Sequence, residues 1–143
     1  MILKLDLSAL KSALLSLEAA IGIVNDTNWF CEQSEALRNT LTAGVIQNFE
    51  FVYEISFKMI KRQLELEAAT PSNIDQCGFR DLLRMAAEKG MIDDADAWFR
   101  YREMRNNTSH TYDHVKANAV CADIHAFLED ARNLYAALER RNA

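Results

Sequence analysis

The stretch VIQNFEFVYEISFKMIKRQLEL, residues 45–66, decides the fold class. Its aromatic and β-branched residues, among them Phe49, Val52 and Tyr53, would suit a strand as well as a helix. The segment nevertheless runs for more than twenty residues without Gly or Pro, and β-strands rarely exceed about ten residues. The stretch therefore predicts a long α-helix.

Outward from this stretch, apolar residues recur at helical spacing along the rest of the chain. We expect a first helix from about Ser8, the long helix over about residues 32–68, and a short helix over about 78–89. A further helix follows the acidic cap at residues 93–96 and ends near Asn107, and the last runs from 112 or 113 to 140. The sequence predicts an all-α fold, an antiparallel four-helix bundle with a short additional helix, as a single domain over residues 1–143.

Composition and charge exclude several classes of protein. Four Gly and one Pro in 143 residues argue against a turn-rich all-β fold. The net charge of −5 argues against a protein that coats nucleic acid regardless of sequence. The chain has no run of about 18 apolar residues and no signal-peptide pattern, so we expect no membrane span. Cys31, Cys77 and Cys121 lie far apart, which favours reduced thiols and a cytoplasmic protein.

The polar octet RNNTSHTY, residues 105–112, is the run that looks most like a functional site. If one helix continued through it at about 100° per residue, six polar groups would share an arc of roughly 160°. Those residues are Arg105, Asn106, Ser109, His110, Tyr112 and Asp113. A solvated helix end, with Asn106 and Ser109 forming caps or turns, is the alternative interpretation.

The octet contains the groups that RNA cleavage requires. Arg105 offers a planar, permanently charged fork that matches a phosphate, and His110 can take up and release a proton near neutral pH. The octet has one histidine, which supplies one proton-transfer group at a time in each chain. The chemistry therefore favours a symmetric homodimer with paired sites at its interface.

Arg105, His110 and Tyr112 follow the order Arg, four residues, His, one residue, Tyr, which resembles the signature of the HEPN superfamily. The resemblance is closest to the branch that pairs with minimal nucleotidyltransferases, which includes nucleotidyltransferase substrate-binding proteins and HepT-type toxins. Residues 47–58, QNFEFVYEISFK, are similar to the family's second helix, and residues 78–81 and 90–93 to its later turns. The resemblance covers nearly the whole chain.

The resemblance implies a helical bundle, usually dimeric, with the motif facing a cleft between protomers. It implies that Arg105 and His110 are catalytic in a metal-independent endoribonuclease toxin that needs no cofactor and cuts RNA, with transfer RNA as one candidate. Asn106 matches the polar residue that commonly follows the arginine, and Tyr112 matches the tyrosine to which a nucleotidyltransferase antitoxin adds AMP. The alternative is a non-catalytic substrate-binding subunit of a two-component nucleotidyltransferase.

Several other residues are candidates for supporting roles. Glu50, Glu54 and Lys58 form one stripe on the long helix. Glu54 either pairs with Lys58 or joins Glu50, with Ser109 and Asn106, in supporting Arg105 and His110. Three aromatic residues at helical spacing, with both tryptophans, are expected in the core or a dimer interface; they are Phe49, Tyr53, Phe57, Trp29 and Trp98.

Two further patterns leave alternatives open. His110 and His114 have a spacing that could bind a metal, but no third ligand is evident, so we expect no metal site. Arg100, Arg102 and Arg105 make the preceding helix locally basic. They either complement the negative end of that helix or form a patch that attracts RNA.

Overall fold

The computed structural model describes residues 4–108 and 114–143, and within residues 114–119 it describes the backbone. These ranges form α1 (Ser8–Asn25), α2 (Thr27–Glu32), α3 (Glu35–Glu67), α4 (Ser72–Asp75), α5 (Phe79–Glu88), α6 (Ala95–Asn107) and α7 (His114–Arg141). No strand occurs in them. The prediction of an all-α bundle is confirmed, with α1, α3, α6 and α7 as its main helices and α5 as the shorter one.

Contacts between distant parts of the chain show how the main helices run. Ser16 of α1 donates a 2.6 Å hydrogen bond to Asn48 of α3. The Leu5 N–H, just before α1, donates to the Asn142 side chain beyond α7 at 2.8 Å. Asn142 in turn donates to Gln63, near the end of α3, at 2.8 Å. The start of α1 therefore lies beside the ends of α3 and α7, so α1 is antiparallel to both.

The sequence pattern did not indicate two short helices, α2 and α4. The polar residues 25–28 suggested a plain turn, but the Asp26 carboxylate accepts a hydrogen bond from the Trp29 N–H and caps a six-residue helix. A capping side chain stabilises a first helical turn even where too few residues follow to show a periodic pattern. Trp29 is 41% exposed on α2, so of the two predicted places, core or dimer interface, it does not lie in the core.

The core between α3, α6 and α7 contains five aromatic rings, which we call the aromatic cluster. Its members are Phe49, Tyr53, Trp98, Tyr101 and Phe127, all of which are buried. Neighbouring ring centroids lie between 4.7 and 6.4 Å apart, and most pairs meet edge to face, the favourable arrangement for aromatic rings. The cluster fixes α6 against α3 and α7.

By length and composition, α1 is the one helix in the described ranges that could cross a membrane. One of its faces is nevertheless buried in the protein, where α1 packs against α3 and α7. The buried residues on that face are Leu10, Leu14, Leu17 and Ile21. Its apolar spacing is therefore that of a helix that contributes to the core.

A turn at Gly90 brings α6 back along α5. Gly90 has a φ of 77°, a left-handed conformation that costs glycine little. The N–H groups of Gly90 and Met91 donate to the carbonyls of Ala87 and Ala86 at 3.1 and 2.9 Å, so the last carbonyls of α5 are satisfied. The Asp94 carboxylate then caps α6 by accepting from the Asp96 N–H.

Candidate functional site

Arg105 lies in the last turn of α6 and is held by a carboxylate from α3. Its Nε and Nη2 donate hydrogen bonds of 3.0 and 2.6 Å to Oε1 of Glu54. The Arg105 side chain is 33% exposed, so a ligand can reach it. These two bonds do not use Nη1, which leaves one edge of the guanidinium fork to bind an anion.

The structure distinguishes between the two partners that the sequence allowed for Glu54. Its carboxylate pairs with Arg105, across 51 positions of sequence, and among the described residues Lys58 forms no ion pair with it. Hydrogen bonding to Glu54 raises the pKa of Arg105, and the nearby charge of Glu50 adds to this effect. Glu54 thus fixes the position of Arg105, and Glu50 adds negative charge nearby.

An open groove of about 290 Å³ lies between α3 and α6 at this ion pair. The residues that line it are Tyr53, Glu54, Phe57, Arg102, Arg105 and Asn106. Two guanidinium groups and one amide in a single groove suit an anionic group such as a phosphate. Asn106 is exposed at the groove, beside Arg105.

Tyr53 adds a hydroxyl group with an unusual environment to the groove. The residue is 5% exposed, and its hydroxyl forms no close hydrogen bond with the described residues, although the Arg102 guanidinium interacts with it. Burial raises the pKa of Tyr53, and the hydrogen-bonding and charge of Arg102, together with the charge of Arg105, offset part of that rise. A buried hydroxyl that lacks a close hydrogen bond is unfavourable.

The described part of the polar octet ends with Thr108. Its N–H and hydroxyl both donate to the Arg105 carbonyl, the hydroxyl at 2.6 Å, and cap α6. The predicted end of this helix near Asn107 is confirmed, since α6 ends at that residue. The predicted site residues Ser109, His110 and Tyr112 lie outside the described residues.

The predicted absence of a metal site stays a prediction. Residue His110 and the side chain of His114, the pair with metal-like spacing, lie outside the described part of the structure. Across the residues that are described, no three His, Cys, Asp or Glu side chains come together as a metal site would require.

Three residues of the groove were not predicted as site residues. Tyr53 and Phe57 were expected in the core or an interface because they share the aromatic stripe of α3, and Arg102 was considered as one member of a basic helix. A signal for Arg102 was present in the sequence, since residues three apart lie on the same side of a helix and Arg102 therefore accompanies Arg105. The sequence contained no comparable signal for the buried hydroxyl of Tyr53, because that depends on the surrounding helices.

Comparison with known proteins gives a consistent result. The family described as nucleotidyltransferase substrate binding protein like matches residues 5–140. A curated relative from Haemophilus influenzae, named probable ribonuclease HepT, is 48% identical over 139 residues, which cover 97% of this chain and 95% of that protein.

A solved structure from Haemophilus influenzae, described as the fold of a substrate binding domain of a nucleotidyltransferase, has the same architecture. The two structures align with a TM-score of 0.91 and 47% sequence identity. The alignment covers 94% of this chain and 99% of the chain in the solved structure. Fold, motif and near-complete coverage all agree with the resemblance deduced from the sequence. The chain therefore belongs to the nucleotidyltransferase substrate binding protein like family, and within it to the HepT-type branch of the HEPN superfamily.

Proposed function

We propose that this protein is the toxin of a toxin–antitoxin pair, a metal-independent endoribonuclease that acts as a homodimer. The observation that carries the proposal is the position of the Arg105 guanidinium, which Glu54 fixes in an open groove. Arg105 lies five positions before His110 in the sequence. The name of the 48% identical relative, probable ribonuclease HepT, supports the same reaction.

In the proposed reaction, the 2′-hydroxyl oxygen of RNA attacks the adjacent phosphorus, and the bond to the 5′-oxygen of the next nucleotide breaks. A base takes the proton from the 2′-hydroxyl and an acid protonates the leaving 5′-oxygen, which yields a 2′,3′-cyclic phosphate and a 5′-hydroxyl. Arg105 stabilises the negative charge that develops on the phosphate oxygens. His110 transfers protons, and His110 of a second copy of the chain provides the other proton-transfer group across the dimer cleft. Asn106 orients the substrate or His110.

The proposed antitoxin is a minimal nucleotidyltransferase that modifies Tyr112. The Tyr112 hydroxyl oxygen attacks the α-phosphorus of ATP, pyrophosphate leaves, and AMP stays on the tyrosine. The added group brings negative charge and bulk two residues from His110. Such a group would repel the RNA phosphate that Arg105 is proposed to bind.

A second candidate function is a substrate-binding subunit that performs no chemistry of its own. The description of the matching family and that of the solved Haemophilus influenzae structure favour this alternative. In that case the groove at Arg105 would hold an anionic substrate for a separate nucleotidyltransferase. Both candidates require complex formation with that enzyme, so activity of the isolated chain distinguishes them.

The test is incubation of the purified chain with bulk transfer RNA in EDTA, beside the His110→Ala variant. Intact mass first establishes that both preparations are free of AMP. We expect cleavage by the parent chain and none by His110→Ala, with products that end in a 2′,3′-cyclic phosphate. Equal cleavage by both proteins would contradict the role of His110, and the absence of cleavage by either would favour the substrate-binding subunit.

A further inference from the structure

Beside the groove, α5 and α6 place three arginines on two phenylalanine rings. We call this set, Phe79, Arg80 and Arg84 of α5 with Phe99 and Arg102 of α6, the arginine–phenylalanine cluster. The Arg102 Cζ lies 3.8 Å from the Phe79 ring centroid. The Arg80 and Arg84 Cζ atoms lie 4.7 and 5.7 Å from the Phe99 centroid, and the two rings meet edge to face at 6.3 Å.

The positive charge of this cluster is largely unneutralised. In the ranges that the structure describes, neither Arg80 nor Arg102 forms an ion pair, and Arg84 makes a single long contact of 3.9 Å with Asp81. Three like charges around two rings repel each other. The chain as a whole has a net charge of −5, yet Asp81 is the one carboxylate that pairs with these arginines in the described ranges. This pattern is typical of a surface that binds an external anion.

Stacking on a ring also prepares an arginine for phosphate. A guanidinium group that lies over an aromatic face is held in orientation, and its N–H donors point outward along its plane. Arg80 and Arg84 are exposed and Arg102 is half-buried, so their donors can reach a ligand on the surface.

The cluster is continuous with the groove. Arg102 belongs to both, because it stacks on Phe79 and also lines the groove with Arg105 and Tyr53. Arginines therefore extend from the proposed catalytic position at Arg105, through Arg102, to Arg80 and Arg84 on α5. A polyanion that enters the groove would meet this row next.

We propose that the arginine–phenylalanine cluster binds the phosphates of the RNA strand that flanks the cleaved bond. This inference rests on the proposed function, since it takes RNA as the ligand of the groove. The contacts are to phosphate, so they increase affinity for a polynucleotide without selecting a base. An acidic surface of a partner protein would also be attracted to the cluster, but the continuity with a groove suited to phosphate favours RNA.

The test measures binding of labelled bulk transfer RNA to the full chain in a His110→Ala background, which prevents turnover. The double variant Arg80→Gln/Arg84→Gln is compared with Lys11→Gln/Arg132→Gln, which removes the same charge from α1 and α7. We expect the first pair to raise Kd about tenfold or more near 100 mM salt. It should also reduce the slope of log K against log salt by about 1.4, the value for two lost phosphate contacts. The control pair should change neither quantity.

A charge-preserving variant separates binding from folding. Arg80→Lys/Arg84→Lys should recover most of the salt slope, and melting curves should show that all the variants are folded. Unchanged RNA affinity and salt slope in Arg80→Gln/Arg84→Gln would overturn the inference. It would also be overturned if this variant bound a nucleotidyltransferase partner more weakly but bound RNA as tightly as the parent. If the parent chain does not cleave RNA but the cluster variants lose RNA binding, the proposed catalysis fails while the binding surface stands.

Discussion

Tyr53 and Tyr101 lie in the same aromatic cluster, yet their hydroxyl groups have opposite surroundings. The Tyr101 hydroxyl donates a hydrogen bond to the Asp130 carboxylate, and burial together with Asp130 raises the pKa of Tyr101. The Tyr53 hydroxyl forms no close hydrogen bond in the described part of the chain, and its interaction is with the Arg102 guanidinium. The two residues therefore form a matched pair for measuring what a buried hydroxyl contributes.

Tyr101→Phe is expected to lower the free energy of unfolding by about 1–3 kcal/mol, because the half-buried carboxylate of Asp130 loses its donor. Tyr53→Phe should leave that free energy unchanged or raise it by up to about 1 kcal/mol, because it removes a buried polar group that lacks a close hydrogen bond. Urea unfolding of both variants beside the parent measures the difference. Equal losses in the two variants would show that the Tyr53 hydroxyl is paired in solution.

Glu54 fixes the guanidinium group of Arg105, so its replacement should affect activity more than stability. Glu54→Gln is expected to lower kcat/KM for RNA cleavage about tenfold, because a less firmly held Arg105 stabilises the developing charge less well. The free energy of unfolding should change by less than about 1 kcal/mol, as is usual for an exposed ion pair. Lys58→Gln, one turn along α3, is the control and should keep parental activity. A larger loss in Lys58→Gln than in Glu54→Gln would contradict this assignment.

The pairing of Glu54 shows what residue patterns can and cannot predict. Spacing along a helix indicated Lys58 as a partner for Glu54, because residues four apart on a helix are neighbours. Arg105 is 51 positions away, and no local pattern encodes which face of α6 meets α3. The role of Glu54 as a support for Arg105 was therefore one of two open alternatives in the sequence, and the packing of the helices favours it.

At the scale of elements, glycines at two positions should respond oppositely to the same substitution. A Cβ atom would meet nothing within 4 Å at either Gly90 or Gly44, so the backbone alone determines the outcome. Gly90→Ala should destabilise the protein by about 1–2 kcal/mol, because Gly90 has a φ of 77°. Gly44→Ala, inside α3, should stabilise it by up to about 1 kcal/mol. Thermal unfolding tests both, and a loss at Gly44 would indicate a contact absent from the single chain.

The ends of α3 and α7 are joined by a polar network around Glu67. Its carboxylate oxygens accept hydrogen bonds from Arg141 at 2.7 and 2.8 Å and from Gln63 at 2.7 Å, and Lys89 lies 3.6 Å away. Burial acts to raise the pKa of Glu67, but these hydrogen bonds outweigh it and hold the pKa below the ordinary 4.5.

This network should make stability depend on pH in the acid range. A carboxyl group whose pKa is lowered by folding contributes fully above its unfolded pKa, and that contribution is lost as the pH falls through the folded pKa. Between about pH 5 and pH 3 the parent should therefore lose more stability than Glu67→Gln, which at pH 7 should be less stable by about 1 kcal/mol. Glu88→Gln, an exposed change on α5, is the control. Parallel acid curves for the parent and Glu67→Gln would contradict the prediction.

Long elements were predicted well and short ones were not. The main helices show several turns of apolar periodicity, and the signals at Gly90 and Asp94 marked the turn between α5 and α6 close to its observed position. The α2 and α4 helices have six and four residues, too few for a periodic pattern, and each begins with polar residues that equally suit a turn.

At the scale of the whole molecule, the proposed dimer predicts how mixed chains behave. If each reaction needs a histidine from both protomers, a dimer of parent and His110→Ala chains is inactive. After equal amounts have exchanged subunits, about one quarter of the dimers contain two parent chains. RNA cleavage at constant total protein should then fall to about one quarter of the parental rate. A fall to about one half would show that one histidine suffices.

The overall fold was predictable because the family resemblance covers nearly the whole chain, whereas the dimer interface stays a prediction. Within the described residues, large apolar side chains are exposed on several helices; they are Leu15, Ile23, Trp29, Leu37, Phe51 and Leu66. Composition cannot select which of these surfaces meets a second copy, because an exposed apolar residue is common on any protein surface.

The contribution of α7 to the aromatic cluster has a consequence for synthesis of the chain. Phe127 contacts Phe49, Trp98 and Tyr101, so the packing beneath α6 is incomplete until α7 has formed. The ribosome delivers Arg105 and its motif first and Phe127 afterwards. A nascent chain therefore contains Arg105 before it contains Phe127, whose ring completes the packing beneath α6. For a protein proposed to cut RNA, this order would keep the growing chain harmless to the ribosome that makes it.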